Sequence, residues 1–300
     1  MNGTGKARPP LRCRACGGDH LRLLARVRGQ RTGEAIPLAR CRRCGHYSAF
    51  PTVYRGVKSF AWDGIPVYLR NLASARRHSL LTIAYLLKLS GRPPEKTRLL
   101  DVGCGLGAAL MSARDLGIDA VGIDPEVKIT DYGRAHYGLK IVTGTLEDHP
   151  FGGTSFDVVF LEQVLEHIDS PGRFLQLALT LTAPEGFIYV GVPPVNFLNK
   201  AVTRVLIRGL GMTRLSNPQL DIFFDPEEHV NGFTGTSMAW LAARAGLELT
   251  CLNTREFLEL RQPVLSAREK ANYRLRAALG PCGQGRFILR RPAARPRAVI

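Results

Sequence analysis

Leu99-Leu100-Asp101-Val102-Gly103-Cys104-Gly105-Leu106-Gly107 is an apolar run that ends in a carboxylate and then meets three alternating glycines. Ala108-Ala109-Leu110-Met111 follows, a helix-forming tetrad. The order predicts a buried strand, a tight turn and a helix N-terminus. Glycines belong where a backbone takes positive φ or lets a ligand come close. A glycine turn alone is an ordinary strand–helix connection, so the context decides. A second apolar strand, Ala120–Ile123, ends at Asp124, about twenty residues beyond the glycines, where a nucleotide-binding βαβ unit sets a carboxylate on ribose hydroxyls. The pairing predicts a nucleoside-type cofactor site. A dinucleotide site would use G-x-G-x-x-G and face a pyrophosphate; here the spacing is G-x-G-x-G, with Asp101 two residues before the first glycine.

That variant closely resembles the first motif of class I S-adenosylmethionine-dependent methyltransferases. The resemblance implies that Gly103, Gly105 and Gly107 pack under the methionine part of the cofactor, which carries no phosphate. Asp101 would position its ammonium group and Asp124 would hold the ribose. The segment Gly144-Thr145-Leu146-Glu147-Asp148 resembles the one that contacts adenine in that family. Leu146 would offer its backbone N–H to the ring. Thr145 stands where an aspartate is common and would accept from the exocyclic amine more weakly; Asp148 is a second candidate.

Alternating strands and helices continue outward from this centre. A helix over about 68–89 precedes the motif, and in the family such helices cover the cofactor, which puts Tyr68 and Arg77 beside it. Phe156–Leu161 reads as a buried strand, followed by Glu162-Gln163-Val164-Leu165-Glu166-His167-Ile168-Asp169. This stretch resembles the fourth strand and loop of methyltransferases acting on quinones, sugars and other small molecules, a loop that borders both cofactor and substrate. Glu162 is assigned to the cofactor. Pro184-Glu185-Gly186 turns into a fifth strand, Phe187–Val192, and two closing strands near 247–252 and 285–289 would form the family's antiparallel pair. The expected fold is α/β: a Rossmann-like, doubly wound, mostly parallel seven-stranded sheet, preceded by a small zinc-ribbon-like module. The expected division is a zinc module over 1–60, a helical linker and cofactor cover over 61–94, the methyltransferase domain over 95–292 and a basic tail over 293–300. Residues 193–233 read as an amphipathic, basic lid inserted at the strand C-terminal edge, with Arg204, Arg208 and Arg214 suited to an anionic handle on the acceptor.

The module rests on Cys13-Arg14-Ala15-Cys16-Gly17 and Cys41-Arg42-Arg43-Cys44-Gly45. Two residues between thiolates let both face one ion, and the glycine that follows aims backbone N–H groups at sulfur. Four thiolates make a closed tetrahedral zinc site, structural rather than catalytic. His20 and His46 lie nearby and read as surface residues, not ligands.

Methyl transfer from a sulfonium needs a base only if the acceptor must lose a proton. His167 is the first candidate, since it follows the fourth strand and can titrate near neutrality; His229 is the second. Glu166, His167 and His229 also partly resemble the metal-binding set of small-RNA 2′-O-methyltransferases. That set begins with a glutamate where this chain has Gln163, and a neutral amide is a poorer ligand for a hard cation.

The chain has 300 residues and a formal net charge of +16. Lys and Arg outnumber Asp and Glu by 13 to 2 over residues 1–60, while the central two-thirds is nearly neutral. Basic ends can meet an anionic partner: RNA, a phosphate-bearing substrate or an acidic membrane surface. No run is apolar enough to cross a membrane, and the first residues lack the apolar core of a secretory signal. A cytoplasmic protein is expected. The favoured acceptor is a small molecule or sugar, because no Asn-Pro-Pro-Tyr or Asp-Pro-Pro-Tyr motif for attack by a base amine is present. RNA methylation guided by the basic module is the alternative, and peripheral membrane contact through the lid is a further expectation. A cofactor-binding protein without catalysis is the third reading.

Overall fold

The central strands are apolar on both faces, and this dictates the layering. The structure, a computed structural model, describes residues 11–29, 32–51, 65–193, 229–251 and 285–292. Strand β4 (Arg98–Val102) is buried from Leu99 onward. Its alternate residues enter different cores. Leu99 joins a cluster with Ile83, Leu86, Ala109, Phe160 and Tyr189, while Leu100 and Val102 face Phe174, Leu175, Met238 and Leu241. A strand buried on both sides belongs in the middle of a helix-covered parallel sheet.

The helices supply those two layers. Helices α1 (Ile65–Ser90) and α2 (Ala108–Asp115) lie together on the first face. The second face is covered by α4 (Pro171–Thr180) and α5 (Gly235–Arg244). Between α2 and α4 the chain runs through β5 (Asp119–Asp124), α3 (Val127–Tyr137), β6 (Ile141–Thr143) and β7 (Phe156–Glu162). Three strands follow α4 in this sheet: β8 (Thr182–Gly191), β10 (Glu248–Cys251) and β11 (Arg286–Arg290).

The sheet order is β10-β11-β8-β7-β4-β5-β6. Strands β4 through β8 pair in parallel, and β11 lies antiparallel between β8 and β10. From β4 the chain winds outward through β5 to β6, then returns to place β7 on β4's other side. That reversal is a topological switch point, and open α/β sheets bind ligands at the carboxyl ends of strands there. The fold therefore sets the site at the ends of β4 and β7.

Strand β8 differs from the expected turn-then-strand. Thr182 pairs with Phe156 and Phe187 with Val158, so three extra residues bulge at Pro184 within one strand. Gly186 is required there, since a Cβ would lie 2.8 Å from the Asp157 carbonyl oxygen.

A second, antiparallel sheet is formed by β1 (Leu21–Arg28), β2 (Ala35–Cys41), β3 (Tyr47–Ala49) and β9 (Asn231–Gly232), in that order; Cys41 ends β2, while Cys13, Cys16 and Cys44 lie outside its strands. Its last strand comes from the other end of the chain. Residues 231–232, which the sequence places in the lid, pair Asn231 with Ser48 and Gly232 with Tyr47. The three lid arginines and the basic tail lie outside the described residues.

Candidate active site

The glycine loop is built by its own hydrogen bonds and by what crowds it. Gly103, Gly105 and Gly107 all have positive φ, at 71°, 53° and 88°. A Cβ on Gly103 would lie 2.6 Å from Val164, and one on Gly105 would lie 2.8 Å from the Tyr68 ring. Tyr68 of α1 thus lies across the loop, where the sequence expects a cofactor cover. A side chain at Gly105 would strike this ring.

Asp124 ends β5 and holds the loop. Its Oδ2 accepts from the Gly105 N–H at 2.9 Å and its Oδ1 accepts from the Glu126 N–H at 2.9 Å. Each oxygen keeps a further lone pair for a ribose hydroxyl. Burial pushes the Asp124 carboxyl up, against the pull of these two N–H groups. Asp101 near the end of β4 is enclosed, and burial raises its carboxyl well above the ordinary range; the charges of Asp124 and Glu162 add to the rise. Carboxylates from β4, β5 and β7 thus converge on one buried space. A cationic ligand relieves that repulsion, as the ammonium or sulfonium of S-adenosylmethionine would. The residues fit the cofactor that the motif implies.

Glu162 is committed differently. It accepts from the Tyr189 hydroxyl at 2.8 Å and lies 3.4 Å from His78 of α1. Burial pushes its carboxyl up, but His78, Arg286 and Tyr189 outweigh this and hold it at about 2. Its charge reaches the cofactor side while its oxygens face α1 and β8. Thr145 donates its hydroxyl to Asp148 at 3.1 Å, which leaves lone pairs to accept from an amine. Leu146 is buried, its side chain anchored in the core beneath the turn.

Beyond β7 the chain leaves the sheet through Gln163, whose φ of 58° is the positive value of a non-glycine residue. A short turn, Leu165–His167, then presents Glu166 and His167. His229 joins them from far along the chain: the two imidazole rings stand edge to face with centroids 4.6 Å apart. His167 Nε2 lies 4.0 Å from a Glu166 oxygen. Glu166 is only 1% exposed, and neither carboxylate oxygen has a hydrogen-bond partner. Burial pushes its carboxyl up to about 8, with the Glu162 charge adding to it. Burial also lowers His229 to about 4, so it is neutral at pH 7 with an unpartnered Nδ1. Ligand atoms of Glu166, His167 and His229 lie within 4.8 Å of one another, close enough for one ion to be shared.

The cysteine sulfurs form a second such group. Cys13 to Cys44 and Cys16 to Cys41 are each 3.6 Å apart, and all four lie within 4.8 Å. A disulfide would need about 2.05 Å; tetrahedral Zn–S bonds of about 2.3 Å put sulfurs near 3.8 Å apart. Gly17 and Gly45 take positive φ, and their N–H groups bond back to the Cys13 and Cys41 carbonyls. The cluster is compatible with a structural zinc site.

His46 corrects an expectation. His20 is exposed, but His46 is completely buried, bonded through Nε2 to Asn231 Oδ1 at 3.0 Å. Its partner is 185 residues away, and no local signal in the sequence pairs them. Arg14–Asp169, His78 and Tyr189 are contacts of the same long-range kind.

A methyltransferase-domain family model matches residues 73–252. The chain belongs to the methyltransferase-domain family. Among curated relatives of the chain, a ubiquinone biosynthesis O-methyltransferase of Azorhizobium caulinodans is 34% identical over 104 residues, which is 33% of this chain and 41% of that protein. One of Rhizobium etli is 31% identical over 130 residues, 42% of this chain and 52% of its own. The chain thus spans about half the length of the curated relatives it matches. Among solved structures, the plantazolicin methyltransferase BpumL in complex with SAH aligns over 78% of this chain and 93% of its own, at 16% identity and a TM-score of 0.46. Among the described residues no helix is long and apolar enough to cross a membrane.

Proposed function

We propose that this methyltransferase transfers the methyl group of S-adenosylmethionine to an oxygen of a small-molecule acceptor. The observation that carries the reading is the placement of two unlike halves at one switch point. The glycine loop with Asp101 and Asp124 closes the ends of β4 and β5, and the Glu166–His167–His229 group stands beyond the end of β7. The first half suits a cationic nucleoside cofactor, and the second suits a hydroxyl that must lose a proton. Relatives named O-methyltransferases support the same division.

The bound cofactor supplies an activated methyl on a sulfonium. The chain's share is to align the acceptor oxygen with that methyl and to exclude water. The glycine loop, Asp101 and Asp124 would hold the cofactor with its methyl group aligned on an acceptor oxygen. The acceptor proton passes to His167 or His229. His229 is neutral at pH 7 with an unpartnered Nδ1, but the burial that keeps it neutral also makes it a weaker base than an ordinary imidazole. Asp101, Asp124 and Thr145 orient the cofactor. Cys13, Cys16, Cys41 and Cys44 hold one structural zinc, which leaves no open position for catalysis.

The test is incubation with methyl-labelled cofactor and fractionated cell extract. Label in a low-mass, alkali-stable, nuclease-resistant product is expected, and its complete absence from every fraction would overturn the reading. RNA is a second reading with its own observation: Arg22, Arg26, Arg40, Arg42 and Arg43 are exposed on the cysteine module. Label in nuclease-sensitive material would favour it.

A further inference from the structure

The four-cysteine module meets the turn that carries Glu166 and His167, and the chemistry of that contact is specific. Each cysteine knuckle contributes one side chain to it. Arg14, between Cys13 and Cys16, forms an ion pair with Asp169, and its guanidinium also bonds the Ala49 carbonyl at 3.4 Å. His46, two residues after Cys44, bonds Asn231 at 3.0 Å. Asn231 is buried, and its Nδ2 donates to the carbonyl oxygens of Leu165 at 3.3 Å and Ile168 at 2.5 Å. Those two carbonyls bracket Glu166 and His167. The same Asn231 is the first residue of β9, and the neighbouring Val230 carbonyl accepts from the Ala49 N–H at 3.0 Å. His229 is the residue before Val230.

The hydrogen-bond roles are fixed by elimination. Two carbonyls require the Asn231 amide nitrogen as donor, so Oδ1 faces His46 and must accept. His46 therefore carries its proton on Nε2. Its ring is held in that orientation by Phe233, 4.8 Å away between centroids. The path from the second knuckle to the acceptor-side turn is thus His46, Asn231, then the Leu165 and Ile168 carbonyls. The path from the first is Arg14 to Asp169, two residues beyond His167.

We infer that the four-cysteine module is an integral part of the acceptor side of the active site, with His46, Asn231 and Arg14 as positioning residues that hold Glu166, His167 and His229 in register. This rests on the proposed methyl transfer for its catalytic meaning, but the coupling itself is a property of the chain. A four-cysteine module of this size folds with its metal. Metal loss then releases the acceptor side, while the glycine loop keeps its own bonds within the parallel sheet, as Gly103 N–H to the Ile123 carbonyl at 2.8 Å shows. The consequence is a metal-dependent acceptor site beside a metal-independent cofactor site.

The experiment uses the full zinc-loaded chain with ¹⁵N-labelled histidine. The seven histidines are assigned by single His→Gln replacements. His46→Phe keeps an aromatic ring, slightly larger, and removes the bond to Asn231; His46→Gln restores a donor. Expected for His46→Phe are one zinc per chain by elemental analysis, a calorimetric S-adenosylmethionine Kd within about twofold of the parent, and shifted or broadened imidazole signals from His167 and His229. His46→Gln should return those signals toward the parent, and chelation of the parent should reproduce the His46→Phe pattern. Unchanged His167 and His229 signals in His46→Phe would overturn the inference. So would a loss of cofactor affinity in step with the spectral change, because the effect would then be general unfolding. If His46→Phe does not fold, Asp169→Asn on the exposed side of the same contact decides: movement of the His167 signal supports the coupling and its absence refutes it. None of these readouts needs an acceptor, so failure of methyl transfer in the labelling assay leaves the coupling standing or falling on its own.

Discussion

Asp124 has two duties, and a single substitution exposes both. It holds the Gly105 N–H, and under the proposed function it would also hold the cofactor's ribose. Hydrogen bonds to a charged group are worth about 1.5–3 kcal/mol each. Asp124→Ala should therefore weaken S-adenosylmethionine binding by roughly 10- to 100-fold in calorimetry, and unchanged affinity would remove Asp124 from the site. Glu166 carries the opposite burden: a buried carboxyl with no hydrogen-bond partner, raised to about 8. In the unfolded chain it titrates near 4.3. Between those values the folded state binds the extra proton, so stability is full at low pH and falls as pH rises through this window. In metal-free buffer Glu166→Gln should abolish that slope. Denaturant unfolding should find it more stable than the parent at pH 8.5, by roughly 2–4 kcal/mol, and nearly equal at pH 4.5. Equal stability at both would show that the carboxylate is already compensated.

At the scale of elements, β9 is two residues long and joins sequence positions far apart. It completes the N-terminal sheet and follows directly on the histidine that meets His167. Chelation should therefore remove more than the first sixty residues. Hydrogen exchange followed by mass spectrometry should lose protection over residues 13–49 and over 230–232 together, while β4 and β7 keep theirs. Protection at 230–232 that outlasts the module would show that β9 is held by its own domain. The regular elements were legible because their signals are local: Gly117 and Gly138 end α2 and α3 in left-handed turns, and apolar runs mark β4 and β7. The bulge in β8 was not, since Pro184 reads as a chain turn until the pairing with β7 is known.

Over the whole molecule, Lys and Arg far outnumber Asp and Glu in the first 60 residues, while the central two-thirds of the sequence is nearly neutral. Arg22, Arg26, Arg40, Arg42 and Arg43 of the cysteine module face solvent, whereas Asp101, Asp124 and Glu162 gather acidic groups at the ends of the parallel strands. A small-molecule acceptor reads little of that outer charge. Initial rates with the labelled acceptor should change less than about threefold between 50 and 200 mM salt, whereas an RNA substrate held by six to ten phosphates would lose on the order of 10³–10⁵ in affinity. Rates that collapse with salt would move the function to RNA.

Periodicity, motif spacing and the family resemblance pointed to the α/β class, the glycine loop, Asp101 and Asp124, and the two cysteine knuckles, because each signal lies within about one βαβ unit or one knuckle. Tertiary structure decided the rest. Burial made His46 an internal donor instead of a surface residue, and turned Glu162 toward His78 and Tyr189. Pairing of β3 with β9 tied a metal module to the acceptor side across a span of 185 residues between His46 and Asn231. A buried polar group must find a partner wherever the fold supplies one, and in this protein the partners of His46 and Arg14 lie far along the sequence, where no local pattern points to them.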